Sequence, residues 1–290
     1  MAELLIGSFQ SVHAPDYLSS AVDHAIACGE NCFMFYNGAP QTTIRVDWQQ
    51  MHREQFFAKM KEYQLDLANI IVHAPYVINP ATNDPVLAKK TLTVLNKEIA
   101  YCEHFQVHKL VIHPGNAVNG ISVETAIANC AKLINNLTNK NVIICLETMA
   151  GKGTEIGANF KQIKQIIDQV KNQALIGVCL DTCHIWDAGY DLSDLDRLFA
   201  EFDQTIGLKY LHVVHLNDSK NKCGSHKDRH ENIGYGKIGF NKIISLAYYF
   251  KIAKIPKILE TPIDDNLVKT YSAEIKNIKN KKFFDWKKCA

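Results

Sequence analysis

Six short apolar runs in this 290-residue chain each stop at a histidine or a carboxylate. They are Ile70–His73, Leu110–His113, Ile144–Glu147, Val178–Asp181, Val213–His215 and Ile258–Glu260, and their last residues are 40, 34, 34, 34 and 45 positions apart. Each interval is about one strand and one helix long, so the donors recur once per unit. A single histidine in such a place is usually a hydrogen-bonded core or loop residue. Six ionisable groups sent to one cleft are costly to bury unless cations compensate them.

Three further candidates lie just past the runs: His184, three residues after Asp181, and Asp228 and His230 in the polar loop 217–233. Nine nitrogen and oxygen donors exceed one tetrahedral zinc, because catalytic zinc takes three protein ligands and keeps a position open. Two or three ions are implied. The mixture of imidazole and carboxylate suits zinc, with manganese or iron as alternatives where carboxylates dominate. Such clusters suit phosphoryl transfer to water. Metal lowers the pKa of bound water from about 15.7 to about 7, and paired ions about 3.5–4 Å apart stabilise both the entering and the leaving oxygen.

The stretch Gly177-Val-Cys-Leu-Asp-Thr-Cys-His184 concentrates the ambiguity. Alone it fits a structural zinc site, a redox pair, or a strand end carrying two core thiols. The chain has nine cysteines, scattered, odd in number and never spaced Cys-x-x-Cys. They are read as reduced core residues, and Cys179 and Cys183 as bystanders.

To present the donors, the chain must alternate strands with helices. Eight apolar runs are expected as strands, at Leu4–Ile6, Cys32–Phe35, Ile70–Val72, Leu110–Ile112, Val142–Leu146, Ile176–Leu180, Leu211–Leu216 and Lys257–Leu259. Helical periodicity fills the gaps, for example at Phe160, Ile163, Ile166, Ile167 and Val170. Asn83-Asp84-Pro85, Ser122-Val-Glu124 and Asp191-Leu-Ser-Asp194 supply helix starts. The expected fold is α/β: a single TIM (β/α)8 barrel over residues 1–290 with its active site at the carboxyl face of the strands. An open doubly wound sheet is the alternative.

Composition sets the remaining bounds. Hydrophobic content of 47% and charged content of 21% describe a globular chain, and a net charge of +2 announces no nucleic-acid partner by itself. No run approaches the ~20 apolar residues of a membrane span and no signal segment opens the chain, so no membrane partner and a cytoplasmic location are expected. The lysines at 276, 279, 281, 282, 287 and 288 are read as a solvated helix face and a frayed end. Gly234-Tyr-Gly-Lys-Ile-Gly239 matches a dinucleotide fingerprint in letters. It follows a polar stretch instead of a strand, and is read as a loop.

Three stretches carry a resemblance: Leu146-Glu-Thr-Met-Ala-Gly-Lys-Gly153, Gly177–His184 with Asp187-Ala-Gly-Tyr-Asp191, and His215-Leu-Asn-Asp-Ser-Lys220 running on to Lys227-Asp-Arg-His-Glu-Asn-Ile-Gly234. In these, and from Ile6 to Phe284-Asp285, the chain resembles endonuclease IV, the metal-dependent abasic-site endonuclease family of DNA repair. The resemblance implies three zinc ions per chain, with manganese or iron possible at one site. The first is held by His73, His113 and Glu147, the second by Glu147 as a bridge with Asp181, His215 and Glu260, and the third by His184, Asp228 and His230.

Through Glu147 as the catalytic bridge it further implies attack by a metal-bridging hydroxide on the phosphorus 5′ to an abasic sugar in duplex DNA. The products would be a 3′-hydroxyl and a 5′-deoxyribose phosphate, and 3′ blocking groups would also be removed. Tyr76 resembles the family's DNA-penetrating aromatic, and Lys220 and Arg229 lie in a basic loop suited to phosphates. Action as a monomer is implied. Near the first strand the family reads Gly-x-His-Val-Ser, whereas this chain has Gly7-Ser-Phe9-Gln-Ser11, so an imidazole outside the nine donors is replaced by an apolar ring. Two other readings stand beside this one: a metal-dependent sugar isomerase on a similar barrel, and a DNA-damage binding module without activity.

Overall fold

The computed structural model describes residues 3–263 and 266–289. In chain order it runs β1 (Ile6–Gln10), α1 (Leu18–Ala27), β2 (Phe33–Phe35), α2 (Arg53–Glu62), β3 (Ile70–His73), α3 (Pro85–His104), β4 (Lys109–Ile112) and α4 (Val123–Ile134). It continues with β5 (Ile143–Glu147), α5 (Phe160–Gln169), β6 (Ile176–Asp181), α6 (Thr182–Ala188), α7 (Leu195–Thr205) and β7 (Leu211–His215). A short pair, β8 (Asp218–Ser219) and β9 (His230–Glu231), precedes α8 (Phe240–Ala247), β10 (Lys257–Leu259) and α9 (Leu267–Asn280). Eight strands close into a barrel in the order β1-β10-β7-β6-β5-β4-β3-β2, every pair parallel. The expected TIM barrel is the fold.

Strand alternation decides what the barrel holds. Cys32, Met34, Ile71, Val111, Cys145, Cys179, Val213 and Ile258 pack together inside it. Their neighbours along the strands, such as Phe33, Val72, Leu110, Ile144, Val178 and Leu259, join the larger core shared with the helices. Since side chains repeat every second residue, the positions that follow Ile71, Val111, Cys145, Cys179, Val213 and Ile258 on the inner face are His73, His113, Glu147, Asp181, His215 and Glu260. All six donors therefore leave the barrel core at the same end.

The helix starts behave as their sequences suggest. The Asp84 side chain accepts from Val86 and Leu87 N–H ahead of Pro85, Ser122 accepts from Thr125 N–H, and Asp194 from Arg197 N–H. Each such cap is worth about 1 kcal/mol. Along α5, Phe160, Ile163, Ile166 and Ile167 form the buried stripe. No helix among the described residues is long and apolar enough to cross a membrane.

Three expectations need correction. The first strand runs over Ile6–Gln10, not Leu4–Ile6. It hides from an apolar count because Ser8 and Gln10 are fully buried, and they pair with the buried Glu30: Ser8 Oγ and Gln10 Nε2 both donate to its carboxyl. The chain beyond α9 is also not a frayed end. Asn277 Nδ2 donates to Phe284 O at 2.9 Å, Tyr235 Oη to Asp285 Oδ1 at 2.8 Å, and Phe283 and Trp286 both lie edge-on to Tyr235. Lys276 and Lys279 do form an exposed helix face. Of the eight cysteines whose side chains are described, seven are buried and all are free thiols; among these Cys223 alone is exposed and departs from the core reading.

Glu30 generates a test. Burial pushes its carboxyl from the ordinary 4.5 up to about 8, against hydrogen bonds from Ser8 and Gln10 that pull it down. The folded chain thus binds a proton that the unfolded chain releases near pH 4.5. The associated stability is whole below that pH and is lost as pH rises through about 8. Glu30→Gln, which keeps the shape and cannot ionise, should gain on the wild type between pH 5 and 8 by up to about 1.4 kcal/mol per pH unit. Thermal melts of both proteins across pH 5–9 measure this, and a constant difference would refute a neutral Glu30.

Candidate metal centre

The cleft is built around one carboxylate. Glu147, 1% exposed at the end of β5, places Oε2 3.0 Å from His73 Nε2 and 3.3 Å from His113 Nε2. Its Oε1 is 3.2 Å from His215 Nδ1 and 3.2 Å from His184 Nδ1. Burial alone would raise this acid, but the charges of His215 and His113 and the imidazole hydrogen bonds prevail and hold it well below the usual carboxylate range. The imidazoles respond in reverse. Burial opposes their protonation, yet the surrounding acids raise His113, and raise His184 and His215 well above the ordinary histidine value. Positive charge is what the cavity lacks.

All nine sequence candidates meet at this end of the barrel. Donor atoms of His73, His113 and Glu147 lie within 4.8 Å of one another, as do those of Glu147, Asp181, His215 and Glu260, and those of His184, Asp228 and His230. His215 also stands 2.9 Å from Glu260 Oε2 and 3.8 Å from Asp181 Oδ2, and His184 Nε2 is 3.1 Å from Asp228 Oδ1. The Cys183 thiol falls within the same reach of Asp181 and His230. Burial pushes that thiol far up, which keeps it protonated and a poor ligand. Cys179 belongs to the apolar layer inside the barrel.

The donors fit divalent ions for a second reason. Ligating histidines characteristically bind a carbonyl through one ring nitrogen, which fixes the ring and frees the other nitrogen for metal. Here His73 Nδ1 lies 2.6 Å from Ala74 O, His184 Nδ1 2.8 Å from Thr148 O, and His230 Nδ1 3.0 Å from Glu260 O. The Nε2 atom of His230 is buried without any hydrogen-bond partner, 3.7 Å from both Asp181 Oδ2 and Asp228 Oδ1. An orphaned buried nitrogen beside carboxylates calls for a cation.

Several positioning residues escaped the sequence reading. Asn217 donates from Nδ2 to Asp181 Oδ2 at 2.6 Å and accepts the Glu260 N–H on Oδ1 at 2.8 Å, tying two donors together. Thr148 Oγ1 accepts the Asp181 N–H at 3.0 Å. Tyr36 lays its ring 4.8 Å from that of His73, and Phe9 meets Tyr36 edge-on at 5.4 Å. The available signal was position: Asn217 and Thr148 are polar residues immediately beyond strand ends.

The cleft, a cavity of about 310 Å3, is lined by donors together with Phe9, Tyr36, Pro40, Tyr76 and Ile263. Tyr76 is 50% exposed at its rim. Lys220 and Arg229 are exposed neighbours on the β8–β9 hairpin, joined by the Lys220 N–H to Arg229 O bond at 2.9 Å. Arg229 sits between Asp228 and His230 in the chain, and its Nη1 donates to the Asp228 carbonyl at 2.9 Å; neither basic side chain is a member of a donor set. The fingerprint-like glycine loop is filled from within. Asp218 accepts N–H groups of Gly234, Gly236, Ile238 and Gly239 at 3.0–3.3 Å, and a Cβ on Gly236 would lie 2.4 Å from its Oδ1. The protein's own carboxylate occupies the place a phosphate would need.

Comparison with known proteins agrees with this architecture. Residues 22–281 match the family described as a xylose isomerase-like TIM barrel. The chain is 44% identical to the probable endonuclease 4 of Ureaplasma parvum, with 98% of this chain and 96% of the relative aligned, and 43% identical to that of Acholeplasma laidlawii, with 97% and 96% aligned. The crystal structure of endonuclease IV from Thermus thermophilus superposes with a TM-score of 0.83 at 25% identity, covering 98% of this chain and 99% of that one. The chain belongs to the endonuclease IV family, on the xylose isomerase-like TIM barrel.

Proposed function

We propose that this protein is a metal-dependent DNA-repair endonuclease that hydrolyses the phosphodiester 5′ to an abasic site in duplex DNA, leaving a 3′-hydroxyl and a 5′-deoxyribose phosphate. It also removes 3′ blocking groups from broken strands. The observation that carries the reading is Glu147, one carboxylate shared by two donor sets, with a third set beside them in which His184 meets Asp228, 44 residues further along the chain.

His73, His113 and Glu147 would hold the first of three zinc ions, Glu147, Asp181, His215 and Glu260 the second, and His184, Asp228 and His230 the third. Manganese or iron is admissible at one site. Bound there, the ions supply hydroxide at neutral pH and neutralise charge on the phosphate. Glu147 spans the first two sets, and Asn217 fixes Asp181 against Glu260. Tyr76, half-exposed at the rim, fills the space left when the abasic nucleotide turns out of the helix. Lys220 and Arg229 bind backbone phosphates beside the third set. The aromatic wall of Phe9 and Tyr36 presents no charge to the sugar. The chain acts as one domain over residues 1–290, as a monomer, in the cytoplasm.

Four outcomes are expected. Elemental analysis of purified protein should find near three metal ions per chain, and one or none would overturn the ligand assignment. On a duplex with a single abasic site, wild-type protein should incise on the 5′ side and stop doing so after chelation. Glu147→Gln should slow incision about a hundredfold or more while leaving duplex binding in place. No incision by metal-loaded wild type, together with ketose–aldose conversion, would favour the sugar isomerase reading. Lys220→Ala and Arg229→Ala should each reduce the slope of log affinity against log salt by about 1. An unchanged slope would remove them from the DNA interface.

A further inference from the structure

Asp187 lies at the end of α6, fully buried, and is none of the nine donors. Its side-chain hydrogen bonds run to the end of β8 and to the segment that leads from it to β9. Oδ1 accepts from Ser219 Oγ at 2.7 Å, and Oδ2 accepts from the Asp228 N–H at 2.8 Å and from Asn221 Nδ2 at 3.2 Å. Its main-chain carbonyl accepts the His226 N–H at 2.9 Å. One residue thus ties the loop at four points, two of them beside the donor Asp228.

That loop needs tying. His226 and Asp228 both adopt left-handed backbone, with φ of 54° and 53°. For residues bearing a Cβ this costs roughly 1–2 kcal/mol each and persists only where the surroundings over-determine it. His226 is additionally held by its ring, Nδ1 to Ala150 O at 2.8 Å. For Asp228 the hold is Asp187 on the backbone and His184 on the carboxylate.

We propose that Asp187 is a positioning residue for the third donor set: by fixing the Asp228 backbone in its left-handed turn, it aims the Asp228 carboxylate at His184 and His230 and sets how tightly that set retains zinc. The first and second sets hang on strand ends and do not depend on it. The proposal deepens the three-ion reading above and rests on it. The short helix α6 then serves two sites. Asp181, its cap, belongs to the second set, and its far end secures the third.

The test is zinc retention, measured separately from activity. Full-length wild type, Asp187→Ala and Asp187→Asn are loaded with zinc and equilibrated against graded zinc buffers, and zinc per chain is counted. Asp187→Ala should weaken retention of one zinc by about 10–100-fold and leave the other two as in wild type. Asp187→Asn keeps an acceptor for the Asp228 N–H and should restore most of the difference. Adding Asp187→Ala to Asp228→Ala should cost that zinc nothing more, since the first acts through the second. Should the alanine variant not fold, Asp187→Leu keeps the volume without the acceptors and should show the same selective loss. Wild-type retention of all three ions in the Ala or Leu variant overturns the proposal, and so does parallel loss of all three. Fewer than three zinc ions in the wild type would instead bring down the three-ion reading and the proposal with it.

Discussion

One carboxylate among four imidazoles organises this molecule. Glu147 approaches His73, His113, His184 and His215 at 3.0–3.3 Å while almost wholly buried. A charge so placed is destabilising unless each lone pair meets a partner, and here the partners come from four different segments. They are the ends of β3, β4 and β7 and the first turn of α6. Any strand pair that slipped by one residue would turn its donor into the helix layer and an apolar side chain into the cleft. The electrostatics of the site and the register of the barrel therefore constrain each other.

The three donor sets differ in how they are held. The first two use side chains at the end of hydrogen-bonded strands, a rigid origin that needs little further support. The third takes Asp228 and His230 from the excursion between β7 and α8, where regular structure is limited to a two-residue pair of strands. Rigidity there comes from buried carboxylates that accept backbone N–H groups. Asp187 fixes one side of the excursion, and Asp218 gathers the N–H groups of the glycine loop on the other. The docked C-terminal segment adds a third brace through Tyr235 and through Lys287, 3.7 Å from Glu231.

The apolar part of the cleft lining is chemically plain. Phe9 stands where relatives were expected to carry histidine, and in this chain it packs on Tyr36, which in turn packs on the His73 ring. The substitution leaves the nine donors untouched. In place of an imidazole it brings an apolar ring against Tyr36, the residue that packs on His73. The cleft lining accordingly joins seven of the nine donors to an aromatic and apolar group that includes Phe9, Tyr36, Pro40, Tyr76 and Ile263.

The barrel and the six strand-end donors were legible in the sequence because both follow from short-range periodicity. An apolar run followed by His or a carboxylate, repeated at one βα interval, needs no long-range knowledge. The first strand was misplaced because Ser8 and Gln10 are paired with Glu30, a partner about twenty residues away that no apolar pattern reveals. The packed C-terminal segment was missed for the same reason, since its lysines read as solvent-facing while Phe283 and Trp286 find Tyr235 only in the folded chain. Residue type and spacing determined that many donors would share one cleft. Which imidazole nitrogen faces which carboxylate, how Asn217 joins Asp181 to Glu260, and how Asp187 holds a strained loop were decided by tertiary structure. Those contacts join residues 30 to 70 or more positions apart, and only closure of the barrel brings them within hydrogen-bonding distance.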